Sequence, residues 1–299
     1  MKTETSTIFL QNISQIDFAM LDPERLIPVG GSYQLNAFVK GSIDYLEQVV
    51  IDFSTIKKKI KEFVDDKNKG FDHKFWIPIN SLKDNKIVID ENYDSESIKI
   101  ETPNFITIVP HNAVRSYEDR IIESYLHGLL SKEYPNSNIQ VSIWFSSLPT
   151  IPSMIQGTEI EFNYIHGLKN STSWGCQNIS HGHQSWLSFV DKHNFGVKID
   201  YILKSKIENF IQDAVFIWKE NIVAKLSGGG IKIEYETERG HFEAIYKGDK
   251  NNIIILDTET TVENLAKWFV NKFKDEISNK EISGIWFSEG LTKGAFQEF

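Results

Sequence analysis

HGLKNSTSWGCQNISHGH, residues 166–183, carries three of the chain's eight histidines and its only cysteine. Residues two apart on a β-strand point to the same side, so His181 and His183 would present two imidazoles from one face. A neighbouring strand carrying His166 closes the set. Three neutral imidazoles with a fourth position open are the ligand set of a catalytic zinc site, whereas a structural zinc is enclosed by four protein ligands. A His-Gly-His triplet also arises by chance in surface turns. The third histidine and Cys176 between the ligands tip the reading towards a metal.

Around this stretch, the 299 residues are 40% hydrophobic and 24% charged, a globular composition with length for two ordinary domains. Apolar runs such as Ile253 to Leu256 are far too short to span a bilayer. The opening MKTETSTIFL lacks the apolar core of a secretion signal. A single cysteine excludes an internal disulfide framework, so a reducing, cytoplasmic setting is expected. The net charge of −9 argues against a nucleic-acid surface, which needs clustered Lys and Arg. An anionic small substrate would need a local basic pocket against that field.

An internal repeat organises the chain. Ile143-Trp144-Phe145-Ser146-Ser147 follows an amphipathic segment from about Val114 to Leu130, and Ile285-Trp286-Phe287-Ser288-Glu289 follows one from Val262 to Phe273. Upstream, VIDFSTIKKKIKEF (50–63) matches KIDYILKSKIENF (198–210), each an Asp-aromatic pair followed by apolar residues at helical spacing. Phe71-Asp72-His73-Lys74 aligns with Phe216-Ile217-Trp218-Lys219. Pro149, Pro152 and Gly157 break regular structure, which predicts two units, 1–152 and 153–299. Gly228-Gly229-Gly230 reads as a hairpin turn, since no Lys-Ser/Thr follows to make a phosphate loop.

In these residues the chain resembles the 6-pyruvoyl-tetrahydropterin synthase and 6-carboxy-tetrahydropterin synthase family. The pattern is His166, Cys176, His181-Gly182-His183, Asp200-Tyr201, Thr261-Val262-Glu263-Asn264 and Glu289 in the second half, with Asp52-Phe53 and Asp72-His73 in the first. The resemblance implies an α+β fold: two tandem tunnelling-fold (T-fold) domains, each an antiparallel sheet backed by two helices, assembling into a barrel ring. It also implies Zn²⁺ on His166, His181 and His183, Cys176 as general base in a relay with Asp72 and His73, and Glu289 as the pterin anchor. Each half lacks what the other holds. Val29-Gly30-Gly31-Ser32 stands where the triplet would be, so the composite site draws its Asp-His pair from a first domain of the same chain or of another.

Duller roles stand beside these. Cys176 could be a small buried filler, Asp72-His73 a solvated turn after a helix, and Glu289 an edge-strand carboxylate. His241, in a variable hairpin region, stays outside the core set. The implied activity is a zinc-dependent lyase acting on 7,8-dihydroneopterin triphosphate, giving 6-carboxy- or 6-pyruvoyl-tetrahydropterin. Alternatives are a non-catalytic pterin- or purine-binding T-fold protein and a zinc-dependent cyclohydrolase-like enzyme. The expected partners are the pterin triphosphate and further copies of the chain, as a trimer or dimer, with neither nucleic acid nor membrane.

Overall fold

A computed structural model of the chain describes residues 5–22, 25, 27–44, 49–78, 82–83, 86–87, 99–102, 106–109, 124, 127–128, 132, 139–173, 175–277 and 281–299. The amphipathic segment expected over 114–130 lies outside the described residues apart from three positions. Two long strands, β1 (Thr5–Asp22) and β2 (Ile27–Ser42), pair antiparallel. Helix α1 (Phe53–Val64) follows, opened by Asp52, whose side chain accepts from Thr55 N at 2.7 Å. Ile56, Ile60 and Val64 recur every fourth residue and are the buried stripe of α1. Next come β3 (Lys74–Pro78), three short strands β4 (Leu82–Lys83), β5 (Lys86–Ile87) and β6 (Lys99–Glu101), then β7 (Ile106–Val109) and β8 (Ile139–Ser146). The resulting sheet has the order β7-β3-β1-β2-β8.

The second half repeats this plan. It runs β9 (Ile160–His166), β10 (His181–Val190), α2 (Tyr201–Ile211), β11 (Ala214–Trp218), β12 (Ile222–Lys225), β13 (Ile231–Thr237), β14 (Gly240–Tyr246), β15 (Asn252–Leu256), α3 (Val262–Phe273), β16 (Gly284–Glu289) and β17 (Lys293–Glu298). Its sheet order is β15-β11-β9-β10-β16-β17, the first order matched strand for strand with β17 added. Asp200 opens α2 as Asp52 opens α1, accepting from Leu203 N at 3.0 Å, and Thr261 opens α3. The glycine run sits between β12 and β13 as expected, with Gly228 and Gly229 at φ 68° and 77°.

Two sequence expectations need correction. The sheets are mixed rather than antiparallel: β3 runs parallel to β1 and β7 to β3, and likewise β11 to β9 and β15 to β11. A parallel neighbour needs a long crossover, and residues 79–105 and 219–251 supply one in each half. The repeat register also shifts. Phe18 faces Lys74, the first residue of β3, as Tyr164 faces Ala214, the first of β11. Asp72-His73 therefore corresponds to Gln212-Asp213, not Ile217-Trp218, and His73 and Asp213 share a left-handed backbone, φ 53° and 54°. The link from α1 to β3 is longer than that from α2 to β11, and this misleads a gap-free alignment.

The halves meet face to face where β2 crosses β10. A Cβ on Gly30 would lie 2.2 Å from Tyr164 O, and one on Gly182 would lie 2.3 Å from the Gly30 Cα. Only glycine allows backbones so close. By strand register Gly30 and Gly182 are counterparts, so an internal two-fold relation passes between them. Apolar packing continues outward, with Ala19, Phe75 and Ile100 sharing a cluster with Ile165, Val215 and Phe242. A third sheet, β12-β13-β14-β6-β5-β4, crosses between the halves through the antiparallel β14–β6 pair.

Candidate metal centre and its acid–base pair

β9 and β10 pair in a register that sets His166 opposite His181, with His183 two residues further along the same face. All three imidazoles are buried and offer ligand atoms within 4.8 Å of one another. Each turns Nδ1 towards an oxygen. His166 Nδ1 is 2.7 Å from Thr260 O, His181 Nδ1 is 3.1 Å from Asn178 O, and His183 Nδ1 is 3.3 Å from Asp17 Oδ1, the last outside good hydrogen-bond geometry. Protons held on those nitrogens leave the Nε2 lone pairs facing inward.

His166 Nε2 and His183 Nε2 lie 3.2 Å apart, and buried His181 Nε2 has no hydrogen-bond partner. Two lone pairs at that distance repel unless a cation sits between them. Nitrogens sharing one tetrahedral ion with bonds of about 2.0–2.1 Å are themselves roughly 3.3 Å apart, so the donor set fits a divalent metal. Burial pushes all three imidazoles down, His166 to about 3 and His181 to about 4, with His183 well below its ordinary value. They are neutral at pH 7, the form that ligates.

The loop 167–180 swings Cys176 against the first half. Leu168 N donates to Cys176 O at 2.8 Å, and Tyr235 Oη donates to Gln177 O at 2.9 Å. A Cβ on Gly175 would lie 2.5 Å from the His73 ring, so the glycine opens the space that the imidazole fills. Cys176 Sγ is 4.0 Å from His73 Nε2, and His73 Nδ1 is 2.6 Å from Asp72 Oδ2. Asp72 is fixed by Asp17 N, which donates to Oδ1 at 2.8 Å. Burial alone would lower the His73 pKa, but the Asp72 carboxylate holds it well above the ordinary value. Burial likewise works to raise the Cys176 thiol, and the neighbouring His73 more than offsets it, leaving the thiol lowered. The two shifts run together: the raised imidazole favours its cationic form, and that charge favours the thiolate form of Cys176.

Glu289 ends β16 at the same centre, with Oε1 3.9 Å from His183 Nε2 and 3.3 Å from Lys293 Nζ. Burial opposes its ionisation, while the histidines and Lys293 hold the carboxyl low. With the histidines neutral, the Lys293 ammonium is the lasting source of that effect.

Every residue singled out from the sequence thus converges: His166, His181 and His183, then Cys176, Asp72, His73 and Glu289, all in one chain. Asp17 was missed. It is buried, accepts from Ser32 Oγ at 2.5 Å and Gln15 Nε2 at 2.9 Å, and faces His183. Its signal was a lone carboxylate inside Ile16-Asp17-Phe18-Ala19-Met20. His241 stands apart, at 42% side-chain exposure beside Glu236.

No family model matches the sequence. No curated protein matches it either. Among solved structures the chain is similar to 6-pyruvoyltetrahydropterin synthase from Plasmodium vivax, at 16% identity over 50% of this chain and 94% of that one, with a TM-score of 0.34. It is also similar to the Plasmodium falciparum 6-pyruvoyl tetrahydropterin synthase, at 19% identity over 48% and 99% of the two chains, with a TM-score of 0.31.

Proposed function

We propose that this chain is a zinc-dependent pterin lyase acting on 7,8-dihydroneopterin triphosphate, with 6-carboxy- or 6-pyruvoyl-tetrahydropterin as product. It would be built as two units, 1–152 and 153–299, that share one catalytic centre. The observation that carries the proposal is the contact of Cys176 with His73 beside three neutral, inward-facing imidazoles.

His166, His181 and His183 would hold the ion, which when bound supplies Lewis acidity towards oxygens of the substrate side chain. Cys176, its thiol pKa lowered by His73, accepts as thiolate the proton from the side-chain carbon next to such an oxygen. His73 stabilises the thiolate and returns a proton, while Asp72 fixes its Nδ1–H and keeps it cationic. Loss of triphosphate follows from the electron pair released at carbon. Glu289 accepts two hydrogen bonds from the 2-amino group and ring N–H of the pterin, a planar bidentate contact. Further copies of the chain would pair along the sheet edges, as a trimer or dimer. Among the described residues no helix is long and apolar enough to cross a membrane.

The test is elemental analysis together with turnover of 7,8-dihydroneopterin triphosphate. One zinc per chain with triphosphate release is expected. Two per chain would end the shared-centre account. Binding without turnover would favour a non-catalytic pterin-binding protein, and formate release would favour a cyclohydrolase.

A further inference from the structure

The internal two-fold relation gives the metal centre a counterpart, and the counterpart is a cavity. Strand register pairs Phe18 with Tyr164 through the starts of β3 and β11, and independently pairs Leu35 with Leu187 through Phe145 and Phe287. Both give the same correspondence. Met20, Val29 and Gly31 occupy the places of His166, His181 and His183, and Ser147 occupies the place of Glu289. These four residues line an open cavity of about 550 Å³, within the roughly 300–1,000 Å³ range of small-molecule sites.

Each group of the metal centre has been exchanged for one of different chemistry. The imidazoles are replaced by a thioether, an isopropyl group and a hydrogen, so none of the three has a ligating counterpart there. The loop between β1 and β2 supplies Arg25 where the matching loop supplies Cys176. Arg25 Nη1 reaches Asp213 Oδ2 at 2.5 Å, as Cys176 reaches His73, and Arg25 Nε pairs with Asp22 Oδ2 at 2.7 Å. Two carboxylates already match this guanidinium and Glu161 adds a third to the lining, so the described residues of the cavity hold no spare cation for a phosphate or carboxylate group. Two amide side chains share the lining. Asn163 and Gln184 take the places of Asp17 and Ser32, each offering a donor and an acceptor.

We propose that this cavity is a second, metal-independent binding site for a neutral, planar nitrogen heterocycle, a base or pterin without its phosphates. Met20, Val29 and Tyr33 give the lining an apolar part that suits such a ring, and Asn163 and Gln184 suit its mixed donor–acceptor edge. The site goes beyond the activity assigned to the metal centre. It rests on the two-fold relation and the cavity rather than on that assignment.

The test is calorimetric titration of the full chain with neopterin and with guanosine, before and after the metal is stripped by a chelator. One binding event per chain is expected to survive metal removal and His183→Ala. Ser147→Trp, which fills the cavity, and Gln184→Leu, which removes one edge contact, should each weaken it tenfold or more. Unchanged melting temperature and one metal per chain would show that these variants fold. The proposal falls if neither probe binds the stripped protein, if His183→Ala abolishes binding, or if both cavity variants bind as before. Loss of turnover with this binding intact would count against the lyase reading alone.

Discussion

Sγ of Cys176 and Nε2 of His73 meet at 4.0 Å although 103 positions separate them. The contact joins a loop of the second half to the turn that follows α1 in the first. Neither half contains the pair by itself, so the contact, and the acid–base role proposed for it, depends on how the two sheets pack. The thiol pKa is lowered here because His73 faces it, and the His73 pKa is raised because Asp72 lies behind it.

Removing the thiol should therefore separate proton transfer from metal binding. Cys176→Ala is expected to keep one metal per chain and to lose turnover by about 10²–10⁴-fold, the usual range for a positioned general base. Elemental analysis and the turnover rate, measured on the same sample, check this. A variant that loses its metal as well would make Cys176 a structural part of the ligand set.

Asp72→Asn tests the same relay through pH. Without the carboxylate, His73 loses the main influence that raises its pKa, and less imidazolium remains to hold the Cys176 thiol down. In the proposed reaction the thiolate is the active form, and it exists above the thiol pKa. The acid limb of the rate profile should accordingly move to higher pH in Asp72→Asn, with metal content unchanged. A profile that falls in height without moving would assign Asp72 a packing role.

The cluster of three imidazoles was legible in the sequence because its information is local. His181 and His183 are two residues apart, and a strand period of two fixes their common face. The helix starts at Asp52, Asp200 and Thr261 were legible for the same reason, since a cap acts within three residues. What escaped depends on distance along the chain. Asp17 lies 166 residues before the histidine that it faces, and nothing near it in sequence marks it as part of that centre. The parallel strands β3 and β11 escaped because strand direction follows from where long connections return. The register of Asp72-His73 escaped because the α1–β3 link is longer than its counterpart, which only strand pairing exposes.

Asp17 gives the next expectation. A carboxylate behind a ligating imidazole orients the ring, and loss of such a partner typically weakens metal binding about 10–100-fold. Asp17→Asn keeps the side-chain shape and removes the charge facing His183 Nδ1. Competition with a chromophoric chelator should show zinc affinity falling within that range while His166 and His181 still bind. No change in affinity would mean that the 3.3 Å approach carries no weight.

Stability of the metal-free protein should depend on pH with a definite sign. His166, His181 and His183 have folded pKa values below the ordinary 6.5, so the unfolded chain binds more protons between those values. Their contribution is fully present above about pH 6.5 and is lost as pH falls through about 4. His73 has the opposite sign: its raised pKa stabilises fully below about 6.5, so it adds no slope on the acid side. Melting temperature of the stripped protein should therefore fall steadily from pH 6.5 to 4.5. Zinc at neutral pH should raise it, and His181→Ala should flatten the acid slope. A slope unchanged by that variant would place its origin in other groups.

The glycine at the centre of the His-Gly-His triplet carries the last expectation. Its missing side chain is what lets β10 touch β2, since a Cβ there would lie 2.3 Å from the Gly30 Cα and 2.8 Å from Phe18 O. Both obstacles are backbone, so no rotamer change relieves them. Gly182→Ala must push the sheets apart, and overpacking of this kind costs about 1–3 kcal/mol. A fall in melting temperature of roughly 2–5 °C is expected from that cost in a chain of this length. His181 and His183 stay on one strand with His166 beside them, whereas Asp72 and His73 lie in the turn that leads into β3 of the displaced sheet. Turnover should consequently drop further than zinc content in Gly182→Ala. If both fall together, or neither falls, the contact of β2 with β10 does not set the distance between the acid–base pair and the metal ligands.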